Sequence, residues 1–417
     1  MRKLSAFMAA LLKNPSRWLA RLAVLGLLTI LTACADFGYY LQSVQGQFRV
    51  MGAARPVEDW MADEAVPQAF KERLALAQRI RRFAVTDLAL PDNASYTRYA
   101  DLRRRAVVWN VVAAPPMSLT LKTWCFPVAG CVGYRGYFDE AAAKALGEEL
   151  TAAGLEVYVY GVPAYSTLGW LNWMGGDPLL NTFINYPQGE LARLIFHELA
   201  HQVAYAKDDT TFNESFATTV ERLGGARWLA ATADVRAREG FDQNTRWRVE
   251  FRSLVLTLRK SLDAIYQDLS LGNAEKMASK AQALQNFRNE YLNRRGQWRS
   301  RWDGAANTAL TAAQINAGFL TQVAWYDQRV ANVNNASLGA QAAYDDWVPA
   351  LEILFQNQQA SKTPWPAFYD AVRKLADMPK TDRKAALERI ASTAGNKAKT
   401  GDRKWQIFAS SANTRWA

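Results

Sequence analysis

Only two histidines occur in the 417 residues, His197 and His201, four apart in "RLIFHELAHQ" with Glu198 directly after the first. Two positions scattered over such a length fall four apart roughly once in two hundred placements, before any glutamate is required. The spacing constrains the local fold. On a helix, residues four apart share one face with Cβ atoms about 5–6 Å apart, so both imidazoles can address one point. Bonds to zinc of about 2.0–2.1 Å need that convergence. Glu198 projects beside the pair, too offset for a third ligand but well placed to hold water and act as a general base. A helix predicted over Gly189 to Tyr205 must therefore meet another element that completes the site.

No third histidine is available, so a third protein ligand must be Glu, Asp or Cys. The thiols Cys125 and Cys131 lie in "TWCFPVAGCVGYRGYF", with Pro127 and Gly130 between them, and read as a disulfide closing a tight loop. Two thiolates cannot complete four-coordinate zinc. The acids of the next predicted helix, Asn213 to Leu223, remain. "TFNESFATTVERLGG" supplies Glu214 and Glu221, seven apart and on roughly one face. Each has a structural alternative. Thr211 and Glu214 fit a capping box, and Glu221 fits a solvated or salt-bridged position near a helix end.

The first 34 residues carry Arg2, Lys3, Lys13, Arg17 and Arg21, no acid, and the apolar run Leu22 to Leu31. This reads as an export signal, too short to span a bilayer comfortably. It ends in Leu31-Thr32-Ala33-Cys34, which resembles the lipobox of bacterial lipoproteins, where cleavage leaves a lipidated cysteine. Residues 1–33 are then a signal peptide and Cys34 the membrane attachment. Ala35, not aspartate, follows Cys34, and by the lipoprotein sorting rule this favours the outer membrane, facing the periplasm. Losing this segment reduces the net charge of +11 to about +6, a mildly basic body and not a nucleic-acid binder. Much of that excess lies between Phe241 and Trp302, in Arg246, Arg248, Arg252, Arg259, Lys260, Arg288, Arg294, Arg295, Arg299 and Arg301. It reads as a solvated helix face, with anionic lipid as the sharper alternative.

Periodicity predicts one or two helices over Ala54 to Thr86. Strands are expected in "RRAVVWNVVAAPP", "SLTLKTWCF", "CVGYRGYF" and "LEVYVYG". A helix in "DEAAAKALGEELTAAG" precedes the last of them. Strand, helix and strand in that order suggest a small mixed sheet over about 105–165. From Gly189 onward the pattern is helical: the 189–225 pair, a long hairpin over 245–301 turning at Leu271-Gly272-Asn273, and helices near 309–326, 336–358, 364–377 and 380–391. The expected fold class is α+β, mostly helical, with residues 34–417 as a single domain.

"FNESFATTVERLGG" resembles the N-E-G-F-A…V-E segment of gluzincin aminopeptidases. The resemblance implies Glu214 as the third zinc ligand and Glu221 as a partner behind the ligands. "YGVPAYSTLGWLNW", "DPLL", "RLIFHELAHQ" and "NESFATTVE" together resemble a family of bacterial proteins described as predicted zinc aminopeptidases. "CFPVAGCVGYRGYF" and "NNASLGAQAAYDDWVPAL" fit the same family, extending the resemblance from Trp124 to about Leu351. It implies a zincin-like helical body, one zinc ion per chain and a peptide substrate. Two departures stand out: only twelve residues separate His201 from Glu214, and no G-A-M-E-N segment is present. The metal chemistry carries over, whereas exopeptidase specificity does not. Tyr165 and Tyr344 are candidates for stabilising an oxyanion. An envelope zinc endopeptidase, or a lipoprotein adaptor with a structural metal site, are the competing readings.

Overall fold

The computed structural model describes residues 38–126, 130–232, 235–304, 311–342 and 346–399. The chain divides into two compact units, 1–52 and 53–417. In the first, the described residues form helix α1, which spans 38–53. The signal segment 1–33 and Cys34 lie outside the described residues, as does Tyr344. No described helix is long and apolar enough to cross a membrane.

The second unit opens with strand β1 (Arg55–Pro56), helices α2 (Val57–Ala62) and α3 (Gln68–Thr86), and strand β2 (Arg98–Ala100). Strands β3 (Val108–Ala114), β4 (Trp124–Phe126), β5 (Gly130–Val132) and β6 (Arg135–Tyr137) follow. Helix α4 (Glu140–Ala152) then leads to β7 (Glu156–Val162) and β8 (Leu179–Leu180). The expected mixed sheet exists, but other strands build it: β1 pairs antiparallel and β8 parallel with β2. The sheet within 105–165 is antiparallel, because β3 lies between β6 and β7 and pairs antiparallel with each. "CVGYRGYF" is two strands, not one. Its first half pairs with β4, where Cys125 faces Cys131 and the two form the expected disulfide, and its second half joins β3. Asp139 caps α4 by accepting from the backbone N–H of Ala142 at 2.8 Å.

Helices α5 (Gln188–Ala200) and α6 (Thr210–Thr232) carry the candidate site. Beyond them lie α7 (Val235–Gln267), α8 (Asn273–Gly304), α9 (Ala312–Ala331), α10 (Asn335–Ala342), α11 (Val348–Asn357), α12 (Pro364–Ala376) and α13 (Lys380–Lys399). The span predicted as one helix from 336 to 358 is broken in two, α10 and α11. The predicted hairpin is α7 and α8, and α9 completes it. Trp247, Phe251, Val255, Leu258 and Leu262 repeat at helical spacing along α7. They share a core with Phe287, Tyr291 and Trp298 of α8 and Phe319, Val323 and Tyr326 of α9. The indoles of Trp247 and Trp298 stack with centroids 5.0 Å apart.

Part of the basic run on this hairpin is paired. Arg248 pairs with Glu190, Arg259 with Asp346, Arg294 and Arg301 with Glu250, Arg295 with Asp327, and Arg299 with Asp303. These arginines stay partly exposed, as a solvated helix face laced with ion pairs would be.

Candidate metal centre

Helix α5 is buried on almost every side, with Leu191, Ala192, Ile195, Phe196 and Leu199 in the core alongside Arg193 and Glu198. It packs against α6, and close approach is possible because a glycine faces Phe196. A Cβ at Gly224 would lie 2.7 Å from Leu88 and 3.0 Å from the Phe196 ring. α5 ends at His201, shorter than the sequence pattern suggested. The chain turns there because the Asn213 side chain clamps the returning loop. Its Oδ1 accepts from the N–H of Ala206 at 2.7 Å, and its Nδ2 donates to the Ala206 carbonyl at 2.8 Å. That clamp accounts for the short connection before Glu214.

The capping-box alternative for Glu214 does not occur. Asp209 takes the cap, accepting from the N–H of Phe212 at 3.2 Å, and its other oxygen is held by Arg383 at 2.8 Å. Glu214 is thereby free to face α5. Its Oε2 lies 3.3 Å from His197 Nε2 and 3.8 Å from His201 Nε2. The ligand atoms of His197, His201 and Glu214 all lie within 4.8 Å of one another. Bonds of about 2.0–2.1 Å at tetrahedral angles put neighbouring ligand atoms about 3.3 Å apart, so the three side chains fit one metal ion. They can hold one; which metal is a separate matter, since two imidazoles and a carboxylate suit several.

Glu221, one rung further along α6, sits behind His197. Its Oε2 accepts from Nδ1 of His197 at 3.0 Å, and its Oε1 pairs with Arg193. The electrostatics follow from this layout. Burial opposes the charge on Glu221, but Arg193 and the His197 hydrogen bond outweigh it and hold the carboxyl well below the usual range. Burial likewise opposes the charge of His197, yet hydrogen bonds to Glu214 and Glu221 hold its proton well above the ordinary imidazole value. His201 is pushed down to about 4 by burial, against the pull of Glu214. Glu198, 8% exposed, is pushed up to about 8 by burial, with the charges of Glu214, Asp177 and Glu221 adding and His197 opposing. Glu221 is answered by Arg193, which leaves the ionised Glu214 facing the imidazoles as the carboxylate that a bound cation would neutralise.

Sequence reasoning brought together His197, Glu198, His201, Glu214 and Glu221, all on α5 and α6. Tyr165 lies in the segment after β7, its ring edge-on to Phe138 with centroids 5.8 Å apart. Three other tyrosines feel the acids of the site: Tyr96 that of Glu198, and Tyr160 and Tyr205 that of Glu214. Arg193 and Asp177 were also missed. For Arg193 a signal was present, because it stands four before His197 and therefore on the same helical stripe. Asp177 comes from a separate loop, and no local pattern marks it. Burial raises its carboxyl, while its hydrogen bonds to Thr167 and Gln202 oppose.

The family model described as "Putative aminopeptidase" matches residues 38–387, and the chain belongs to that family. No curated protein and no solved structure matches the chain.

Proposed function

We propose that the protein is a zinc-dependent aminopeptidase, with His197, His201 and Glu214 holding the metal and Glu198 moving the proton. The observation that carries this reading is the convergence of two imidazole Nε2 atoms on one Glu214 oxygen, beside a buried Glu198. Membership of an aminopeptidase family supports a peptide substrate. When bound, zinc supplies a Lewis acid that acidifies water and polarises a carbonyl. Glu198 accepts a proton from the attacking water and returns it to the leaving amine. Burial pushes the Glu198 carboxyl up to about 8 in the metal-free centre, and the positive charge of a bound metal would bring it down to the ionised form that accepts the proton. Glu221 keeps the His197 ring turned so that Nε2 faces the ligand point.

Substrate orientation has a structural candidate. Among the described residues β7 is one of the two edge strands of its sheet, and an extended peptide can pair with such an edge by main-chain hydrogen bonds. Asn334 already donates to the Val157 carbonyl, so pairing would use residues further along, toward Val159 and Gly161. The proposed address, a lipoprotein on the periplasmic face of the outer membrane held by Cys34, rests on the sequence of residues 1–35 alone.

The test is metal content and hydrolysis by the full chain beside His201→Ala and Glu198→Gln. One zinc per chain is expected in the parent and Glu198→Gln, and none in His201→Ala. Cleavage of aminoacyl substrates should fall by about 10²–10⁴ in Glu198→Gln. Cleavage confined to internally quenched peptides would move the reading to an endopeptidase. A parent that takes up no metal would sink it.

A further inference from the structure

We infer that Arg193 is a positioning residue of the metal centre, clamping Glu221 so that it holds the His197 imidazole in place. The inference rests on the metal reading above and extends it to a side chain that touches no ligand point itself.

Three observations meet at Arg193. It is 8% exposed on α5, and its guanidinium pairs with Glu221 Oε1 while Glu221 Oε2 takes Nδ1 of His197. Both oxygens of one carboxylate are therefore committed, and the carboxylate cannot rotate away from the imidazole without breaking an ion pair. The arginine is itself seated. A Cβ at Gly225 would lie 2.8 Å from Cγ of Arg193, so the stem occupies space that only a glycine of α6 leaves open. The guanidinium stacks over the Phe241 ring at 5.6 Å, and Phe241 in turn fills against Gly189, where a Cβ would lie 2.7 Å from its ring. Behind it, Glu190 of α5 pairs with Arg248 of the long hairpin.

An acceptor fixed on Nδ1–H decides the tautomer of a ligating histidine and the direction of its other nitrogen. The arginine contact is one guanidinium nitrogen on one oxygen, so a side chain without charge at this position loses the clamp. Simple Coulomb repulsion predicts the opposite of the inference: removing a cation near the centre should tighten metal binding. The sign of the change therefore separates the two accounts.

The experiment is zinc affinity of the full chain, by competition with a chromophoric chelator, for the parent, Arg193→Met, Arg193→Gln and Arg193→Lys. The two neutral variants should bind zinc about 10–100-fold more weakly, the range found when partners behind metal ligands are removed, and Arg193→Lys, which keeps the cation, should fall between them and the parent. Because the chain has only two histidines, ¹⁵N-histidine spectra of the zinc-loaded protein resolve each ring. The protected Nδ1–H signal of His197 should exchange faster in the neutral variants. Parental or tighter affinity in Arg193→Met, with the signal unmoved, overturns the inference; should Arg193→Met not fold, Arg193→Gln decides in its place. A parent that binds no zinc removes the metal reading and the inference together. Zinc in the parent with unchanged neutral variants removes the inference only.

Discussion

Glu198 and Glu221 are both buried carboxyls of one cluster, yet their surroundings drive them in opposite directions. Burial, reinforced by neighbouring acids, pushes the Glu198 carboxyl up to about 8 in the metal-free centre, and the charge of a bound cation would lower it. Glu221 has an arginine and an imidazole to hold its charge, and stays ionised. Separate protonation states within one pocket are what a proton-transfer residue and a fixed hydrogen-bond acceptor require. Tyr96 is the neighbouring residue where local rules are broken. It is 1% exposed, sits at φ 65°, and among the described residues its hydroxyl has no hydrogen-bond partner. A buried hydroxyl without a partner costs about 1–3 kcal/mol, so its removal should not destabilise the protein. Tyr96→Phe is expected to leave the urea midpoint unchanged or to raise stability by up to about 1 kcal/mol. A clear loss would show that the hydroxyl has a partner in solution.

At the scale of elements, the hairpin of α7 and α8 is fastened by Glu250. That carboxylate accepts from Trp298 Nε1 at 2.6 Å and from Arg301 at 2.9 and 3.0 Å. Burial raises its pKa, but these hydrogen bonds and the charges of Arg301 and Arg294 bring it below the ordinary value. A depressed carboxylate contributes stability above its unfolded pKa of about 4.3 and loses it as pH falls through the folded value. Glu250→Gln should therefore lower stability by about 1 kcal/mol at pH 7, a modest figure because Arg301 is partly exposed. The gap should close below about pH 4. Thermal unfolding of parent and variant across pH 3–7 measures it. A gap that persisted at pH 3 would mean that packing of the side chain, not its charge, holds the helices.

Across the whole second unit, distant segments are tied by buried polar links more than by neighbouring loops. Lys280 of α8 is 4% exposed and pairs with Glu156 at the start of β7, while also donating to the Pro116 carbonyl at 2.8 Å. Glu156 accepts at its other oxygen from the N–H of Asn335 at 2.7 Å, and Asn335 reaches back to the carbonyls of Pro115 and Pro116. One node thus joins the hairpin, α10 and the sheet that offers the edge strand. Lys280→Met should cost about 1–3 kcal/mol, because a half-buried carboxylate loses its cation and the Pro116 carbonyl its donor. Replacing the pair together, as Lys280→Met with Glu156→Gln, should recover part of that loss. Equal losses in single and double variants would show that the pair itself is not what couples the segments.

The sequence by itself determined the donors of the site and most of the helices. His197, Glu198 and His201 announce themselves by spacing, because a helix fixes which residues share a face. Scarcity of other ligands narrowed the third donor to the acids of the next helix, and the family resemblance pointed to Glu214 with Glu221 behind it. The hairpin was legible for the same reason, since its apolar repeat is long and regular. The span from 336 to 358 was not, because the break between α10 and α11 interrupts no periodic pattern that the sequence made visible. Only the tertiary structure decided that Glu214 faces the imidazoles and Asp209 takes the cap, a choice made by the Asn213 clamp and the Arg383 pair. It also decided which strands share a sheet, since β1, β2 and β8 are brought together from far apart in the chain. It alone brought Asp177 and Tyr96 beside Glu198, and it gave part of the basic run acidic partners from other segments. Spacing along one helix is a local property of the backbone, whereas the partner of a buried charge is set by whatever the rest of the chain packs against it.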